Sequence, residues 1–187
     1  LDSFLAPWLN DRDDEFSGEL ANLIKFPMRI IDAVRAAVPD DFVLGIRMAV
    51  DERREDGMDE ARATEILRTY TDHGIDFLNL NVGMINSDRQ LAEAIPGMGT
   101  PSAPWLETCR RIREAIDIPV LHAARTSDAA TARFAIADGC LDLVGMTRAQ
   151  LADPYLARKV AEGREDDIRP CVGANMCLDS IYTSGSA

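Results

Sequence analysis

Four short apolar segments, each followed by a stretch with helical spacing, constrain this chain more than any other feature. The segments are Phe42 to Met48, Phe77 to Val82, Pro119 to Ala124 and Leu141 to Met146. A helix ends over Asp32 to Val38 before the first of them. The next helix starts at Asp59 or Glu60, runs to about Asp72 and stops at His73-Gly74. Pro104 to Ala115 reads as helical, Ser127 or Asp128 caps a helix that ends at Asp138-Gly139, and a last helix spans about Asp153 to Glu162. Strands that alternate with helices pair in parallel through right-handed crossovers. Two of the strands are apolar on both faces, as helix-covered parallel strands should be. The others carry polar residues toward their carboxyl ends, namely Arg47 in one and Asn79 with Asn81 in another.

Two architectures accommodate this pattern. One is an open α/β sheet. The other is part of a (β/α)8 TIM barrel, which takes about 250 residues when complete. Four units supply half of one. The ends favour the partial barrel, because the chain opens in a loop and stops at Thr183 to Ala187 with no element to close a domain. The formal net charge of −12 argues against binding nucleic acid or an anionic membrane surface. No apolar run approaches the roughly 20 residues that span a bilayer. The acidic start, Leu1-Asp2-Ser3-Phe4-Leu5, lacks the positive region of a signal peptide. Cys109 and Cys140 read as small core residues, and nothing resembles a secreted disulfide framework, so the expected compartment is cytoplasmic.

Chemistry in a barrel concentrates at the carboxyl ends of the strands. Arg47 lies late in its strand, Arg125 follows Ala123-Ala124, and Arg148 follows Gly145-Met146-Thr147. Small residues let backbone N–H groups approach a phosphate, and arginine adds a bidentate donor. The alternative is that Arg125 and Arg148 pair with acidic neighbours such as Asp128 and Asp153. Cys171 and Cys177 share a short loop. Iron–sulfur runs use closely spaced cysteines, but a cubane cluster needs four ligands, so from spacing alone these two read first as reduced loop cysteines. His122, alone in an apolar strand, reads by default as a core histidine. The loop from Gly83 to Pro101 exceeds an ordinary strand-to-helix connection and keeps apolar residues, which fits a pocket-shaping loop.

These stretches resemble a known family in order. Asn10-Asp11-Arg12-Asp13-Asp14-Glu15-Phe16-Ser17-Gly18, with Asn22 and Phe26-Pro27, is similar to a segment that follows the fourth barrel strand in FMN-dependent oxidoreductases of the old yellow enzyme and trimethylamine dehydrogenase type. Gly45-Ile46-Arg47 resembles the fifth strand, Ile95-Pro96-Gly97-Met98-Gly99 the loop after the sixth, and Pro119 to Arg125 the seventh. Asp142 to Arg148 with Ala152-Asp153-Pro154 resembles the eighth, and Arg164 to Cys177 the entry to the iron–sulfur loop. Departures include Ala124 and Thr147 where many members have glycine, Ser17 for another glycine, and Leu23 and Lys25 for arginines. Ala174 replaces the second cluster cysteine, and the fourth would fall beyond Ala187. Within the family, the combination of these motifs resembles N-methylproline demethylase-type enzymes.

The resemblance implies a TIM barrel of which this chain supplies about strands 5 to 8. Residues 1–165 would form that half-barrel and 166–187 the start of a cysteine-containing loop. It implies FMN, held by Arg47 at the flavin N1/O2 edge and by Ala124, Arg125, Thr147 and Arg148 at the phosphate. It further implies Cys171 and Cys177 as ligands of a 4Fe-4S cluster in the full-length parent. Family proton donors on the fourth strand lie upstream, so no catalytic residue is assigned here. The implied activity is oxidation of an N-methylated amine or amino acid, with hydride passing to flavin N5 and iminium hydrolysis releasing formaldehyde. The same flavin run in the other direction gives an NAD(P)H-dependent reductase of activated alkenes. A third class is a non-catalytic half-barrel that works by assembly. The partners expected are a small-molecule substrate, NAD(P)H or an electron-transfer protein, and further copies of the chain.

Overall fold

In the computed structural model, which describes residues 1–184, the four apolar segments form one parallel sheet. Three helices precede it: α1 (Asp2–Leu5), α2 (Leu20–Leu23) and α3 (Lys25–Ala37). Then come β1 (Gly45–Asp51), α4 (Glu60–Asp72), β2 (Phe77–Val82), α5 (Asp88–Ala94), α6 (Leu106–Ala115), β3 (Val120–His122) and α7 (Ala129–Ala137). The chain continues through β4 (Leu143–Val144), α8 (Thr147–Ala152), α9 (Leu156–Ala161) and α10 (Met176–Ser184).

Strand order decides between the two architectures. The strands lie in the sequential order β1-β2-β3-β4 with no reversal. A doubly wound sheet reverses order at a switch point and places helices on both faces. Here one face alone is covered. Met48 pairs in register with Leu80 and Leu80 with His122, and all three are buried. Arg47, Asn79, Leu121 and Leu143 share the opposite face in the same register and stay partly open, Leu143 at 48% exposure. Sequential parallel strands with helices outside and a second face unfilled form an arc of a (β/α)8 barrel. Apolar sequence on both faces of a strand therefore does not mean helices on both sides. The inner face of a barrel is filled by other strands.

The covering helices are set by capping and spacing. The Asp59 carboxylate accepts from the Arg62 N–H at 2.8 Å and starts α4. Ala63, Ile66, Leu67 and Tyr70 then fall on one stripe, all fully buried against the sheet. Burying Ile66 or Leu67 contributes about 1.5–3 kcal/mol each.

Several boundaries differ from the sequence reading, and the third strand shortens to Val120–His122. The first strand begins three residues later and runs on to Asp51, because pairing with β2 continues to Val82 while Phe42 and Val43 stay exposed. The loop from Gly83 to Pro101 contains α5, capped by Ser87 through the Gln90 N–H. The fourth strand shortens to two residues at the edge of the sheet. The last helix shortens to α9, and the sequence reading did not give α8 before it, which ends at Asp153-Pro154 because proline holds the residue before it extended, here with ψ of 97°. Of the segment read as unclosed, Thr183 and Ser184 belong to α10, and residues 185–187 lie outside the described residues.

Candidate functional site

The carboxyl ends of the strands surround a cavity of about 350 Å³. That lies within the range of small-molecule sites. Arg47 reaches it from β1, Asn79 from β2, Arg125 from the turn after β3, and Arg148 from the first turn of α8. The sheet places them. Arg47 stands opposite Asn79, and Asn79 opposite Leu121, all on the uncovered face.

None of the three arginines pairs with a carboxylate among the described residues. Asp128 caps α7 through the Thr131 N–H, and Asp153 pairs with Lys159 at 2.6 Å. The acidic-neighbour alternative is thereby set aside. Elsewhere arginines such as Arg35, Arg111 and Arg133 do sit on carboxylates. Arg125 instead donates through Nε to the Thr100 carbonyl at 2.6 Å and through Nη2 to that of Met98 at 3.4 Å. Its backbone holds a φ of +54°, unusual for a side-chain-bearing residue. Arg148 donates through Nη1 to the Pro96 carbonyl at 2.8 Å and to Asn175 Oδ1 at 2.5 Å. Arg47 and the Asn79 amide make no hydrogen bond among the described residues.

Backbone comes close to the cavity where side chains are small. Ala124 is buried, and Thr147 is the exposed first residue of α8, whose N-cap Met146 gives no side-chain hydrogen bond. At Gly145 an added Cβ would lie 2.5 Å from Ala123 Cβ, so β3 and β4 can converge there only with glycine.

Cys171 lines the same cavity, and Cys177 sits in the first turn of α10. Ala174 between them is exposed and offers no ligand. Among the described residues no group of three histidine, cysteine or acidic side chains is placed to hold a metal. The loop bearing these cysteines is nonetheless docked. The Met98 N–H donates to the Gly173 carbonyl at 2.9 Å, and the Asn175 Nδ2 donates to the Ile95 carbonyl at 3.3 Å. Gly173, at φ of +73°, leaves room for Arg125, whose Nη1 would lie 2.2 Å from an added Cβ.

Sequence reasoning did not single out Gly173, Asn175 or the carbonyls of residues 95–100. The available signal was Gly-x-Asn, two residue types that tolerate left-handed backbone, and Asn175 indeed has a φ of +60°. His122, in contrast, is the core residue its context implied. It is buried on the helix-covered face, with Nδ1 donating to the Leu80 carbonyl at 2.9 Å. Burial pushes its pKa below the ordinary histidine value, which leaves the ring neutral near pH 7. Burial likewise raises the Cys109 thiol to about 12 and raises that of Cys140, so both are inert core groups.

A family model described as NADH:flavin oxidoreductase / NADH oxidase matches residues 1–167. This chain belongs to that family. FMN is the family's cofactor. The chain is 45% identical over its whole length to a probable N-methylproline demethylase of Rhizobium meliloti (strain 1021), of which it covers 28%. It is 42% identical to the multifunctional alkene reductase/demethylase OYE of Caballeronia cordobensis, across 95% of this chain and 26% of that protein. Among solved structures, a 2-naphthoyl-CoA reductase in complex with 2-naphthoyl-CoA superposes on 93% of this chain with a TM-score of 0.85 and 31% identity, again over 26% of its own length. The chain thus spans about a quarter of the length of these relatives. Among the described residues, no helix is long and apolar enough to cross a membrane.

Proposed function

We propose that the protein is an FMN-dependent oxidoreductase that oxidises an N-methylated amine or amino acid, with Arg47, Ala124, Arg125, Thr147 and Arg148 holding the flavin. One observation carries the reading. In a chain of net charge −12, three guanidinium groups with no carboxylate partner among the described residues line a single cavity at the strand ends. An unpaired guanidinium cluster is a strong attractor for a dianion, and arginine matches phosphate geometry with two N–H groups.

Bound FMN supplies a hydride acceptor at its N5. The chain's own residues do the rest. Arg125 and Arg148 bind the phosphate, and the small residues Ala124 and Gly145 let backbone approach it. Arg47, which has no carboxylate partner among the described residues, would stabilise negative charge at the flavin's pyrimidine edge. Asn79 stands beside it with a free amide to orient that edge. The amine substrate class is supported by the demethylase name of the 45% identical relative. Cys171 and Cys177 offer a 4Fe-4S cluster two thiols. Ala174 offers none, so the residues present do not complete a cluster's ligand set. The oxidant that would take up the electrons is NAD(P)+ or an electron-carrier protein.

A second reading, an NAD(P)H-dependent alkene reductase, is favoured by the 42% identical relative, whose name joins both activities. Anaerobic bleaching of the flavin in the whole polypeptide separates them. An N-methylproline-type amine bleaches it under the first reading. Bleaching by a nicotinamide alone supports the second.

A further inference from the structure

Asn175 belongs to the cysteine loop, yet its side chain is spent elsewhere. Its Oδ1 accepts from Arg148 Nη1 at 2.5 Å, and its Nδ2 donates to the Ile95 carbonyl at 3.3 Å. Arg148 in turn reaches the Pro96 carbonyl, while Arg125 holds those of Thr100 and Met98. The segment 95–100 is therefore a strap on which both arginines and the cysteine loop converge. The Met98 N–H on the Gly173 carbonyl closes the ring. A guanidinium on a flexible stem loses much rotamer freedom when it must point at one place. Here protein contacts to the strap and to Asn175 remove much of that freedom.

We propose that Asn175 is a positioning residue for the anion site: its amide fixes Arg148 at the cavity rim and ties the order of the cysteine loop to the grip on a phosphate. The proposal rests on the reading that this cavity takes the FMN phosphate. Coupling between two sites is reciprocal. A phosphate-bearing ligand that steadies Arg125 and Arg148 steadies residues 171–177, and a loosened loop weakens the ligand.

The informative variant is Asn175→Gly. Glycine adopts the left-handed backbone at φ of +60° and removes the side chain with its amide, so folding is spared the strain that Asn175→Ala would add. The assay uses the whole polypeptide stripped of flavin and titrated separately with FMN and riboflavin, which differ by the phosphate. In the wild type, FMN binds more tightly than riboflavin, and FMN slows modification of Cys171 and Cys177 by a thiol reagent. In Asn175→Gly the FMN Kd rises about tenfold, as expected when a charge-assisted hydrogen bond that orients a ligand group is lost. Riboflavin affinity is unchanged, and FMN no longer protects the thiols. A merely structural role for Asn175 would weaken both flavins alike, and that result overturns the proposal. So does a variant that keeps the full preference for FMN and the thiol protection. A wild type that binds both flavins equally, or neither, removes the phosphate reading itself and this inference with it.

Discussion

Replacing Gly173 by alanine tests how closely the cysteine loop and Arg125 are fitted to each other. Two costs add. Alanine at a φ of +73° costs about 1–2 kcal/mol, because Cβ then crowds the following carbonyl oxygen. The new Cβ would also lie 2.2 Å from Arg125 Nη1 and 3.3 Å from the Met98 nitrogen. The guanidinium can swing away, but it then gives up its 2.6 Å bond to the Thr100 carbonyl. A hydrogen bond to a charged group contributes about 1.5–3 kcal/mol. Arg125 is only half-buried, so water recovers part of that, and about 1 kcal/mol is the share expected to remain. The loop should undock more easily by about 2–3 kcal/mol in total, which corresponds to roughly 30- to 150-fold in the opening equilibrium. Hydrogen exchange reads this directly at Met98, whose N–H is held by the Gly173 carbonyl. Its protection should fall by that factor, while amides of α4 keep theirs. Gly163→Ala is the control. It has a φ of +68° with nothing within 4 Å of an added Cβ, so it incurs the backbone cost alone. Unchanged Met98 protection in Gly173→Ala, or an equal local effect from Gly163→Ala, would refute the reasoning.

Two further outcomes follow from groups outside the cavity. The buried Asp153 carboxylate is held down to a pKa of about 2, first by Lys159 and then by the N–H groups of Arg169 and Tyr155. A depressed carboxylate contributes stability that is full above the ordinary value of 3.8 and is lost as pH falls toward about 2. Acid unfolding followed by circular dichroism should therefore steepen between those values, and Asp153→Asn should lower stability at neutral pH and flatten that part of the profile. Tyr70 is fully buried, its hydroxyl has no partner among the described residues, and burial raises its pKa. Tyr70→Phe removes a desolvated hydroxyl that returns nothing, and should stabilise the fold by up to about 1 kcal/mol in chemical denaturation. A clear loss of stability would mean that the hydroxyl does have a partner.

Much of the fold was legible because local signals and the tertiary environment agree. Asp59 and Asp128 cap their helices where a carboxylate before an apolar stripe says they should, and Phe77 to Val82 is bounded on both sides by turn residues. The helix from Asp88 to Ala94 was also encoded, in the Ser87-to-Gln90 capping pattern, but glycines and prolines around it read more strongly as loop. The fourth strand keeps only the two residues that pair with β3, Leu143 and Val144, and no local pattern reports where that pairing stops. At the site, the three arginines could be named from their places, Arg47 within a strand and Arg125 and Arg148 just after strands. What holds them could not. The partners of Arg125 and Arg148 are mostly backbone carbonyls of residues 96–100, and a carbonyl carries no sequence signature.

The central claim is that Arg125 and Arg148 grip a flavin phosphate while Arg47 faces the ring. Fluorescence titration of the flavin-stripped whole polypeptide with FMN tests it most directly, comparing the wild type with Arg125→Ala, Arg148→Ala and Arg47→Ala. Each phosphate-side substitution should raise the Kd by about ten- to a hundredfold, the range for losing a charge-assisted contact to phosphate. Arg47→Ala should leave binding within about tenfold and make the bound flavin harder to reduce, since a positive charge favours the reduced anion. Wild-type affinity in both phosphate-side variants would contradict the account.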